Sequence, residues 1–103
     1  MKPQNPGMHA RVAADALSRL VTDVRTGRAE WQHPQTIRQA ADALTGAADD
    51  LSAALQQMAA ALGEHQAARA RPETEAAVHA LLEAGRDTAA AAHHLRQARR
   101  AMH

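Results

Sequence analysis

The sequence predicts an all-α protein, an antiparallel three-helix bundle built from one shorter helix and a long helical hairpin. Three observations carry that expectation. Alanine, the strongest helix former, supplies 28 of the 103 residues. The larger apolar residues recur at the three- and four-residue steps of a helix face. Prolines open three segments, at Asn5-Pro6, His33-Pro34 and Arg71-Pro72. Proline suits the first helical position because its missing N–H would have no intrahelical partner there.

The first helix is expected over residues 7–26, after a flexible stretch at 1–6. Asn5 is a good cap before Pro6, and Gly27 supplies the left-handed residue that ends a helix. Ala13, Leu17, Leu20 and Val24 form one stripe, flanked by Val12 and Val21, and are expected to face a core. Arg11, Asp15, Arg19 and Asp23 follow one another at four-residue steps on the other side, a solvated ladder of weak ion pairs.

The second helix is expected over 34–63, fraying towards 69, with Gly63 as its terminator. Ile37, Leu44, Leu51 and Met58 repeat every seven residues, and Ala41, Ala48, Leu55 and Leu62 follow each by four. That is a two-row heptad seam, the signature of a coiled coil. Gly46 falls outside the seam and weakens the helix relative to alanine. The polar run from Glu64 to Arg71 suits a reversal.

The third helix is expected over 72–102, its first turn carrying Glu73 and Glu75 against the positive end of the helix dipole. Its seam is Val78, Leu81, Gly85, Thr88, Ala92, Leu95 and Met102, with Leu82 alongside. Between Gly85 and Ala92 the seam is slender, so an antiparallel second helix is expected to lay Leu51 or Leu55 there. The whole chain, 1–103, reads as a single helical domain.

Composition narrows function. Formal net charge is +1, which gives no whole-molecule pull towards nucleic acid or membrane. Without cysteine there are no disulfides, thiol chemistry or thiolate metal sites, and a cytoplasmic setting is expected. No apolar run reaches the roughly 18 residues of a bilayer-spanning helix. Apolar residues make up 46%, but Leu, Ile and Val together number only 14 and Phe is absent. So little large apolar side chain makes a thin core, and self-association, as a dimer, or a helical protein partner is expected to complete it.

Several residues invite chemistry. Glu75, His79 and Glu83 stand on one line of the third helix; a metal site would need a matching set from a second helix, and a solvated face is the expectation. His93 and His94 are adjacent and diverge by about 100° on a helix. Arg96, Arg99 and Arg100 form a basic final stretch, which complements the helix dipole or, in a second reading, contacts a phosphate backbone. Trp31, the only aromatic, is expected to plug the bundle end, or else to anchor a partner. Neither a nucleophile triad nor a glycine-rich phosphate loop is present, so no enzyme activity, cofactor, small-molecule substrate or resident metal is expected.

Richness in alanine and arginine resembles the product of a high-GC gene such as those of actinobacteria. Length and helicity are similar to the secreted Trp-x-Gly helical hairpins, but Trp31 is followed by Gln32-His33 and the chain has no Tyr, so no family is assigned. The function expected is a non-enzymatic interaction protein using Ile37, Leu44, Leu51, Leu55, Met58, Leu62 and Trp31. The alternatives are a nucleic-acid accessory protein using Arg96, Arg99 and Arg100, and a small helical cargo or chaperone of a secretion system.

Overall fold

The computed structural model describes residues 5–66 and 71–102, and all three expected helices are present: α1 (Pro6–Arg25), α2 (Pro34–Gln66) and α3 (Pro72–Ala101). The fold is all-α. Among the described residues there is no strand. The stretch expected to be flexible at 1–6 lies outside the described residues up to residue 4, and the fraying expected beyond Gln66 also lies outside them. The chain divides into two compact units, residues 1–33 and 34–103.

The first unit carries α1. Asn5 caps it as expected: the Gly7 N–H donates to Asn5 Oδ1 at 2.9 Å. At the other end Gly27, with φ of +76°, takes the left-handed conformation, and the Gly27 N–H donates to Val24 O. No residue of α1 is buried, and of the expected stripe Leu20 is half-buried. Leu17 is 47% exposed.

The second unit is a hairpin of α2 and α3. Ahead of it, at the end of the first unit, Glu30 Oε1 accepts from the Gln32 N–H at 2.7 Å and the His33 N–H at 3.3 Å, ordering the turn that leads to Pro34. The expected stop at Gly63 is overturned: α2 continues to Gln66, and Gly63 lacks the positive φ of a terminating glycine. In an alanine-rich stretch one glycine lowers helix propensity by only about 1 kcal/mol, too little to end a helix already formed around it.

Two ion pairs fix the direction of the hairpin. Arg99 Nε donates to Asp42 Oδ1 at 2.9 Å, and Arg96 pairs with Asp49. Moving seven residues forward on α2 moves three back on α3, so the helices are antiparallel. On α3 the inward row is the expected one: Gly85 and Ala92 are buried, with Val78, Leu81, Thr88, Leu95 and Met102 half-buried.

On α2 one expected row faces α3 and the other does not. Ala41 is buried, and Ala48, Leu55 and Leu62 are half-buried. The second inward row is Thr45, Ser52 and Ala59, one position beyond the expected Leu44, Leu51 and Met58. The reason is steric. Gly85 lets the α2 backbone come close: a β-carbon built there would stand 3.6 Å from Ser52 O and 3.8 Å from Leu55 Cβ. At that approach the small row with Ser52 packs directly against Gly85 beside Leu55, and the row of Leu44, Leu51 and Met58 lies at the edge. Leu55 meets the slender part of α3 as expected, whereas Leu51 does not and is 48% exposed.

Candidate functional site

The feature that stands out is an open apolar edge of α2. The charged edge of that helix carries Asp42 and Asp49, both engaged with α3 arginines. Its opposite edge, across the inward rows, carries Ile37, Leu44, Leu51 and Met58. Ile37 is 38% exposed and Met58 52%, while Leu44 is half-buried. Ala40, Ala47, Ala54 and Ala61 follow these by three, and the last three are exposed.

The two rows together make a second heptad seam on the same helix, pairing one large residue with one alanine in every turn pair. It carries no charged residue over its length. By the same antiparallel geometry it is flanked on α3 by Ala84, Ala91 and Ala98. No large side chain is fully buried among the described residues, and the buried hydrophobic residues are Ala41, Ala59 and Ala92.

The seven interface candidates therefore separate. Ile37, Leu44, Leu51 and Met58 lie on the open edge. Leu55 and Leu62 are half-buried in the row that faces α3 and serve the hairpin itself. Trp31 belongs to the first unit and is 38% exposed.

Of the basic residues near the C-terminus, Arg96 and Arg99 are drawn into the hairpin. Arg99 also donates to Met102 O at 3.5 Å. Phosphate contact by either would compete with a carboxylate already in place, and of the three arginines Arg100 alone has no acidic partner among the described residues. His93 and His94 hold their ring centres 5.9 Å apart at a tilt of 58°.

On the acidic line of α3, Glu83 pairs with Arg86 at 2.7 Å and lies 4.0 Å from His79 Nε2. Among the described residues, no group of three or more His, Asp or Glu side chains is placed to hold a metal ion. No described helix is long and apolar enough to cross a membrane.

Sequence reasoning missed Ser52. Its hydroxyl is buried between the helices, donates to Gly85 O at 2.7 Å and accepts from Gln56 Nε2 at 3.3 Å. The available signal was the row of small residues Thr45, Ser52 and Ala59, at the same seven-residue spacing as the larger row beside it.

Comparison with protein-family models, curated proteins and solved structures finds no match.

Proposed function

We propose that this is a non-enzymatic helical interaction protein, which self-associates or docks a helical partner on the outer seam of α2. The observation that carries the reading is the row Ile37, Leu44, Leu51 and Met58. It lies on the edge of α2 away from the ion pairs, uncharged, in a chain whose described residues include no fully buried large side chain. Removing such surface from water is the main drive for helix association, and an unbroken heptad row aligns it for knobs-into-holes contact. The setting proposed is the cytoplasm, where a chain without cysteine forgoes no disulfide.

The test is sedimentation mass across a concentration series, with helical circular dichroism on the same samples. Leu51→Asn with Met58→Asn should reduce the assembled mass while leaving the hairpin helical, because neither residue is in the rows that face α3. Leu55 is unsuitable for this purpose, since its loss would open the hairpin. A fully helical monomer at all concentrations that recruits no helical partner, or an assembly indifferent to the double variant, would overturn the reading.

A further inference from the structure

The outer seam has a chemistry that selects its own copy as occupant. Its rows alternate large and small: Ile37 with Ala40, Leu44 with Ala47, Leu51 with Ala54, Met58 with Ala61. Two such seams can meet in parallel or antiparallel. In parallel, each layer sets a residue against its own kind, so a crowded Leu–Leu layer alternates with an empty Ala–Ala one. In antiparallel pairing each layer sets one row against the other, and every layer holds one large side chain and one alanine. Even layers of that kind pack to interior density without voids.

One register satisfies all the layers at once. It is centred on Asp49 and places Ile37 against the second copy's Ala61, Leu44 against its Ala54, Leu51 against its Ala47 and Met58 against its Ala40. We propose that two copies pair through this antiparallel α2–α2 seam, each keeping its own hairpin, to give a four-helix core; this deepens the interaction reading above and rests on it.

Area agrees with that occupant. The seam runs over 25 residues, about 37 Å at 1.5 Å per residue and about 12 Å wide. It buries on the order of 1,000 Å² counted over both copies, where specific interfaces begin. No charge on either seam has to be desolvated.

The chain has no cysteine, so single-cysteine variants read the register directly. In the proposed pair, residue 40 of one copy faces residue 58 of the other. Like residues are 18 positions apart along the seam, about 27 Å, far beyond disulfide reach. On mild oxidation, an equimolar mixture of Ala40→Cys and Met58→Cys should give at least tenfold more disulfide-linked dimer than either variant alone. Linkage in each single variant matching the mixture would show parallel pairing. Linkage in none of the samples, with a sedimenting dimer, would place the contact elsewhere. Either result overturns the antiparallel seam while leaving an interacting protein. A folded monomer that neither self-associates nor binds a helical partner would remove both.

Discussion

The hydroxyl of Ser52 donates a 2.7 Å hydrogen bond to the carbonyl of Gly85, joining α2 to α3 where Gly85 lies close to the α2 backbone. That carbonyl also accepts from Thr88 Oγ1 at 3.0 Å, one helical turn further along. A helix carbonyl is normally satisfied by the N–H four residues on. Of the two extra donors at Gly85, Thr88 is local to α3 and Ser52 alone is tertiary, reaching the carbonyl where glycine leaves the backbone accessible.

Ser52→Ala should lower hairpin stability by about 1 kcal/mol, the usual net value of one hydrogen bond. The Gly85 carbonyl keeps Thr88, so the loss stays at the modest end. Urea denaturation followed by circular dichroism measures it, and an unmoved midpoint would show that the bond contributes nothing net.

Gly85 separates space from shape. A β-carbon there would meet Gln56 Cγ at 3.4 Å and Ser52 O at 3.6 Å, ordinary contact distances. Gly85→Ala should therefore be tolerated, with a helix-propensity gain of up to about 1 kcal/mol. Gly85→Leu should force the helices apart and cost about 1–3 kcal/mol by overpacking. Equal thermal midpoints for the two variants would mean that the close approach is dispensable.

Gly46 has no atom within 4 Å of its would-be β-carbon and sits inside α2. Gly46→Ala should stabilise the protein by about 0.5–1 kcal/mol, through helix propensity and a less flexible unfolded chain. It should leave assembly unchanged, since residue 46 is outside both seams. A lower melting temperature would show that Gly46 makes a contact in the assembled protein.

The Asp49–Arg96 pair is partly exposed, so its own contribution is about 0.2–1 kcal/mol. Its effect on orientation is larger than that figure suggests, because Asp42–Arg99 repeats it on the same edge. Asp49→Arg should destabilise by a similar amount and set two arginines against each other. Adding Arg96→Asp should restore stability, and the difference should shrink in 1 M salt as screening grows. Failure of the double exchange to recover the thermal midpoint would show that the two positions do not interact.

Phosphate contact by the basic end of α3 gives a further expectation. With Arg96 and Arg99 held by carboxylates, duplex DNA should bind weakly at low salt. Replacing Asp42 and Asp49 with Asn should strengthen binding and steepen its salt dependence. Tight DNA binding by the unaltered chain, lost on Arg100→Ala, would instead favour the nucleic-acid reading.

The starts of the helices were legible because they rest on local chemistry. Pro6, Pro34 and Pro72 each stand at a first helical position, and the Asn5 cap and the Gly27 terminator act within a few residues of themselves. The rows of α3 were legible too, since that helix has only one seam. Gly63 was misread because a glycine signals an ending only when the chain around it stops favouring helix.

The sequence by itself determined three helices, their approximate bounds and the antiparallel partner rows of α3. Tertiary structure decided which face of α2 turns inward. That helix carries two seven-residue rows side by side, Leu44, Leu51 and Met58 beside Thr45, Ser52 and Ala59, and periodicity alone favours the bulkier one. Across the hairpin stand Gly85 and Ala92, whose small size permits a close approach, with Ser52 and Leu55 packed against Gly85. The small row therefore closes the hairpin, and the large row is left facing outward.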